Sequence, residues 1–147
     1  MKIAIACDHA GLSLKRELVD ALKARGHECR DFGAHNGESV DYPDFASEVA
    51  RAVRGGDVDR GVLVCGTGIG MSIVANKYRG VRAALCTSEF EARMARAHND
   101  ANVLCLGERV VGLGLGRAIL EAFLDQGFEG GRHEKRVKKI HDAEAEG

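Results

Sequence analysis

The 147 residues include no tryptophan, one proline and two tyrosines. So few flat rings leave little to stack on an isoalloxazine, which argues against a flavin binder. An excess of one charge is missing too: 21 basic and 22 acidic residues give a formal net charge of -1. No global field draws the chain to nucleic acid or to an anionic membrane, so any anion site has to be local. No apolar run approaches membrane-spanning length. The N-terminus enters Lys2-Ile3-Ala4-Ile5-Ala6-Cys7 directly, without the basic segment and long apolar stretch of a secretion signal. The expectation is a soluble cytoplasmic protein. The five cysteines form no CxxC or Cys/His ligand pattern. Cys7, Cys65, Cys86 and Cys105 lie in or at the ends of apolar runs, where reduced thiols behave as small hydrophobes. No structural metal or disulfide is expected, and a single domain over 1–147 is long enough to bury its own core.

Glycine, by contrast, is abundant, at 19 residues. Three of them alternate in Gly61-Val62-Leu63-Val64-Cys65-Gly66-Thr67-Gly68-Ile69-Gly70-Met71-Ser72, after an apolar run of strand length and a thiol. Alternating glycines remove the Cβ atoms that hold a ligand off the backbone and let successive N–H groups converge on an anion. No Gly-Lys-Ser/Thr ending follows, as a P-loop requires. The spacing is not GxGxxG and does not follow the first strand, so ATP and nicotinamide chemistry are disfavoured. A tight strand-to-helix turn accounts for the glycines equally well on their own.

Apolar runs predict strands at 3–7, 27–32, 61–65, 81–86 and 102–107. Helical periodicity predicts helices at 12–25, from Pro43 to about 54, 71–77, from Glu89 to about His98, 112–125 and 132–144. On the first helix Leu14, Leu18, Val19, Ala21 and Leu22 form the apolar face, with Lys15, Arg16, Glu17 and Lys23 opposite. Strands alternating with helices imply parallel βαβ units, hence an α/β fold: a three-layer αβα sandwich on a flavodoxin-like, Rossmann-like five-stranded parallel sheet. In the order 2-1-3-4-5 the first and third strands are neighbours at the switch point, which sets Asp8 and His9 beside Cys65 to Gly70. The last helix has only Val137 and Ile140 as apolar anchors, which suggests docking on a partner subunit.

Several residues have chemistry that suits such a site. Cys65 ends a buried strand before a helix N-terminus, where N–H dipoles favour a thiolate acting as base or nucleophile. The adjacent glycine N–H groups suit an oxyanion beside the carbon being deprotonated. Thr67 offers a hydroxyl, or merely caps the helix. Asp8 and His9 suit sugar hydroxyls or phosphate, or else cap the following turn. His98-Asn99-Asp100 reads equally as a polar helix stop, and Arg132 with Arg136, four apart, as a phosphate clamp or a solvated basic face.

Cys7-Asp8-His9-Ala10-Gly11, Asp41-Tyr42-Pro43, Cys65 to Gly70, Ala75-Asn76-Lys77, His98 to Asn102, Gly107-Glu108-Arg109-Val110-Val111-Gly112 and Glu129-Gly130-Gly131-Arg132-His133 together resemble type B ribose-5-phosphate isomerase. The match spans all but the Ala- and Glu-rich last residues. The resemblance implies interconversion of ribose 5-phosphate and ribulose 5-phosphate, a step of non-oxidative pentose phosphate metabolism, through an enediolate and with no metal or organic cofactor. It further implies a homodimer, or a dimer of dimers, whose sites combine residues of both subunits. Cys65 is then the base between C2 and C1, and Gly66, Gly68, Ile69 and Gly70 surround the enediolate oxygen. His98 assists ring opening, Asp8 and Thr67 meet the ring oxygen or hydroxyls, and Tyr42 and Asn99 also line the substrate. His9, Arg109, Arg132 and Arg136 take the phosphate. Some relatives carry Ser in place of Cys65 and a Glu base in place of Ser72; Cys65 and Ser72 set this chain in the cysteine branch. An isomerase of a six-carbon aldose 6-phosphate, of allose or galactose type, is the alternative. A non-catalytic phosphosugar-binding module is the more distant one.

Overall fold

The run Ile3-Ala4-Ile5-Ala6-Cys7 offers solvent no polar side chain on either face, and the structure, a computed structural model that describes all 147 residues, buries all five. They form β1 (Lys2–Cys7) within a parallel sheet completed by β2 (Glu28–Asp31), β3 (Arg60–Cys65), β4 (Ala83–Leu85) and β5 (Val103–Gly107). The strand order is β2-β1-β3-β5-β4, which corrects the expected 2-1-3-4-5. The reason is apolar content. Val103–Gly107 is buried throughout and takes the interior place against β3, whereas the three residues of β4 are only half-buried and suit an edge. Arg82, included in the expected strand, instead donates its backbone N–H to Asn102 Oδ1 at 2.8 Å, so β4 starts later.

The helices are α1 (Leu12–Ala24), α2 (Tyr42–Arg54), α3 (Ile69–Ala75), α4 (Glu89–Asn99), α5 (Glu108–Asp125) and α6 (Arg132–Glu146), with one 3-10 turn at His9–Gly11. Right-handed crossovers decide which face each helix covers. The steps from β1 to β2 and from β4 to β5 run one way along the sheet, so α1 and α4 share a face, joined there by α5. The steps from β2 to β3 and from β3 to β4 run the other way and carry α2 and α3. Alternation along the strands feeds the two resulting cores. Ile3, Ile5, Val62, Val64, Leu104 and Leu106 pack against Leu14, Leu18 and Leu22 of α1 and Ile119, Leu120 and Phe123 of α5. Ala4, Ala6, Leu63, Cys65, Val103 and Cys105 pack against Ala46, Val49 and Ala50 of α2 and Met71 and Ala75 of α3.

Lys15 departs from the amphipathic reading of α1, which put it on the polar face. Its side chain is 2% exposed; the ammonium donates to Asp31 Oδ1 at 2.8 Å and to the Ala34 carbonyl at 2.6 Å. The long aliphatic stem lines the core while the charge is met at the end of β2. This pair fixes the start of the segment 33–41 that leads to α2. The first turn of α5 begins earlier than expected, at Glu108, and Gly112 (φ 69, ψ -175) breaks the helix behind it. Helix α6 lies on its own chain's α4: His133 is its one buried residue, Glu144 accepts the Gly80 N–H at 2.9 Å, and His141 pairs with Arg82 at 2.8 Å. No helix is long and apolar enough to cross a membrane.

Candidate active site

The carboxyl ends of β1 and β3 meet at the switch point, with Cys7 opposite Val64, so Asp8 and Cys65 leave the sheet side by side. β5 lies on the other flank of β3 with Gly107 opposite Cys65, and α5 springs from that position. The three ends enclose a cleft of about 470 Å³ lined by Asp8, His9, Ala10, Tyr42, Cys65, Gly66, Thr67, Ile69, Gly70, Ile73 and Arg109. Nine of the residues singled out in the sequence are therefore brought together. The interior place of β5 is what delivers Arg109: its N–H donates to the Gly66 carbonyl at 3.1 Å.

Cys65 is buried, and its Sγ accepts the Gly68 N–H at 3.0 Å, a donor aimed at the atom that would carry negative charge. The other thiols are poorly placed for base chemistry. Burial pushes Cys7 up to about 11 and Cys86 up to about 12, and raises Cys29 and Cys105 as well. After Cys65 the chain passes Gly68 at φ 79, where a Cβ would lie 2.6 Å from Leu85 and 2.9 Å from the Leu106 backbone. Only glycine fits there, and Gly68 supports the loop from behind instead of lining the cleft. The N–H groups of Gly66, Thr67 and Gly70 have no acceptor within the chain, so they remain available to an oxyanion. Gly70 has a second reason to lack a side chain, since a Cβ would meet the Tyr42 ring at 2.5 Å. Tyr42 thus walls the glycine loop.

Thr67 accepts the Ile69 N–H at 3.3 Å, so its hydroxyl caps α3 while its proton stays free to donate. Asp8 Oδ1 accepts the Ala10 N–H at 2.9 Å, capping the 3-10 turn as the plainer reading expected. His9 accepts the Val40 N–H on Nδ1 at 3.2 Å, which leaves the proton of the neutral ring on Nε2.

His98, Asn99, Arg132 and Arg136 do not line this cleft. His98 stacks on His133 of α6, with centroids 4.3 Å apart and planes at 12°. Burial, followed by the charges of His98 and Arg132, lowers the pKa of His133, while Glu129, 3.6 Å away, opposes the shift. Neither Arg132 nor Arg136 has an ion-pair partner in the chain. Asn99 faces a second cavity, about 830 Å³, between α6 and the β4 edge. One potential ligand atom from each of His98, Glu129 and His133 lies within 4.8 Å of the other two. The two imidazoles are almost parallel, so their in-plane lone pairs do not converge on one metal ion. The sequence reading missed Ala10 and Ile73 in the cleft and the packing of His133 between His98 and Glu129. The i, i+4 spacing of Glu129 and His133 was the signal available for the last.

Comparison with known proteins gives a consistent picture. A family described as ribose/galactose isomerase matches residues 3–140. Ribose-5-phosphate isomerase B of Escherichia coli strain K12 is 52% identical over 139 residues, covering 95% of this chain and 93% of that one. A D-erythrulose-4-phosphate isomerase of Pectobacterium atrosepticum is 45% identical over 141 residues, covering 95% and 93%. The solved structure of ribose-5-phosphate isomerase B from Clostridium thermocellum superposes with a TM-score of 0.98 at 57% identity, covering 99% of both chains.

Proposed function

The chain belongs to the ribose/galactose isomerase family, and on that premise we propose that it interconverts ribose 5-phosphate and ribulose 5-phosphate. The observation that carries the reading is a single buried thiol at a strand end, in a cleft with free glycine N–H groups and an unpaired arginine. Cys65 Sγ takes the C2 proton as the electron pair of the C1 carbonyl moves onto its oxygen, which gives the enediolate. The N–H groups of Gly66, Thr67 and Gly70 bear that oxygen's charge, commonly the largest single catalytic contribution. Return of the proton to C1, with transfer of the O2 hydroxyl proton to O1, completes the ketose. Asp8 and Thr67 hold hydroxyls, and His9 Nε2–H and Arg109 bind the phosphate.

The remaining groups reach the substrate from a second copy in a homodimer. Two features support this: the cleft lacks His98, Asn99, Arg132 and Arg136, and the last two present unpaired guanidinium groups on α6. Exposed Tyr42, Ile69 and Ile73 rim the cleft and supply apolar surface for the second copy to cover. Five free thiols fit a reducing compartment, and the cytoplasm is the proposed location.

The test is direct. In deuterated water the protein should form ribulose 5-phosphate from ribose 5-phosphate and exchange label at the transferred carbon. Absence of both would overturn the reading. The Pectobacterium relative carries the name of a four-carbon isomerase, so kcat/KM should be compared for four-, five- and six-carbon substrates on one preparation. The five-carbon sugar should lead.

A further inference from the structure

Arg109 sits on a turn that is fastened at three points, and the third has no evident part in the chemistry. Its own N–H holds Gly66, as described. Just before it, Gly107 lies so close to Thr67 that a Cβ would meet that residue's backbone at 2.5 Å. The third fastening is Glu108, whose Oε1 accepts the Leu14 N–H at 2.5 Å. Leu14 is the third residue of α1, where helix N–H groups lack intrahelical partners, and the residue before α1, Gly11, has no side chain to cap them. A carboxylate borrowed from α5 does that work. Such a bond is charge-assisted and also favoured by the helix dipole.

The arrangement has two consequences for Arg109. Gly112, at φ 69, separates residues 108–111 from the rest of α5, so the long helix does not hold the turn rigid. The bond from Glu108 to α1 does. The carboxylate nearest Arg109 in sequence is also occupied elsewhere, and the guanidinium forms no ion pair; its Nη1 would lie 3.3 Å from a Cβ at Gly66, at the cleft wall.

We propose that Glu108 is a positioning residue for Arg109: by capping α1 it holds the turn that aims the guanidinium at the substrate phosphate while leaving that guanidinium unpaired. The proposal rests on the phosphosugar reading of the cleft, and its test separates the two. Affinity for ribose 5-phosphate is measured by calorimetry in a Cys65→Ala background, where turnover is slowed by the loss of the base, and KM and kcat are measured with Cys65 intact. Glu108→Ala should weaken binding and raise KM roughly tenfold, the scale of one charge-assisted hydrogen bond, with kcat changed far less. Glu108→Gln, whose amide oxygen accepts the same N–H, should restore most of the affinity. In an Arg109→Ala chain, Glu108→Ala should add nothing further, because both changes remove the same contact. Additive losses, or equal falls in kcat and stability with KM unchanged, would overturn the proposal and leave Glu108 a helix cap alone. If Glu108→Ala does not fold, Glu108→Asp decides the matter: it keeps the charge but falls short of Leu14, so it should raise KM where Gln does not. Failure of the parent to bind ribose 5-phosphate at all would instead overturn the phosphosugar reading.

Discussion

Cys65 differs from the other four thiols in what surrounds its sulfur: a glycine N–H at 3.0 Å and an open cleft, in place of the apolar packing that raises Cys7, Cys86 and Cys105. Cys65→Ala should lower kcat at least about 10²- to 10⁴-fold, the usual worth of a positioned base, and leave ribose 5-phosphate binding within a few-fold. Steady-state kinetics and calorimetry on one preparation check both halves. Residue chemistry was largely legible, since a thiol followed by alternating glycines is an unusual string. Lys15 was not. Its spacing placed it with the charged face of α1, and nothing in a helical pattern says that Asp31 and the Ala34 carbonyl will meet a long side chain from another element. Lys15→Met should therefore cost less stability than Lys15→Ala, because methionine keeps the buried stem while alanine leaves a cavity; the alanine change should cost about 3 kcal/mol in urea unfolding.

Helix α4 begins with a reciprocal cap: Ser88 Oγ accepts the Glu91 N–H at 3.1 Å, and Glu91 Oε1 accepts the Thr87 N–H at 2.9 Å. The Thr87 hydroxyl, which donates to the same Oε1 at 2.7 Å, and then the Thr87 N–H hold the Glu91 carboxyl below its ordinary range. Ser88→Ala should cost about 1 kcal/mol, read as a lower urea midpoint at unchanged slope. Caps and strand ends were visible in the sequence because they depend on a few neighbouring residues. Sheet order was not fully visible, because it depends on how two apolar runs compete for the interior. Arg82 and the half-buried Ala83–Leu85 mark β4 as the edge, and Val103–Gly107, without a polar residue, belongs beside β3. That placement, more than any motif, brings Arg109 to Gly66.

Across the whole molecule, burial lowers the pKa of both His27 and His133 from 6.5. The unfolded chain thus takes up protons first as pH falls. Stability contributed by these neutral rings is complete above about pH 6.5 and lost as pH drops below it toward the folded-state values. Thermal midpoints between pH 7.5 and 5.5 should decline, and the variant His27→Gln with His133→Asn should decline less. The cleft and the α4/α6 cluster are each well formed but separate within one chain. Residue chemistry groups the two sets, but their positions along the chain carry no sign of which of them one chain assembles by itself. The central claim is that one isomerase site draws Cys65 from one copy and His98 with Arg132 and Arg136 from another. Co-expression of a Cys65→Ala chain with a chain carrying His98→Asn and Arg132→Ala, each inactive alone, tests it most directly. Random pairing should restore about a quarter of wild-type ribose 5-phosphate isomerisation, one intact site in half of the dimers. A mixture as inactive as its parents would contradict the account.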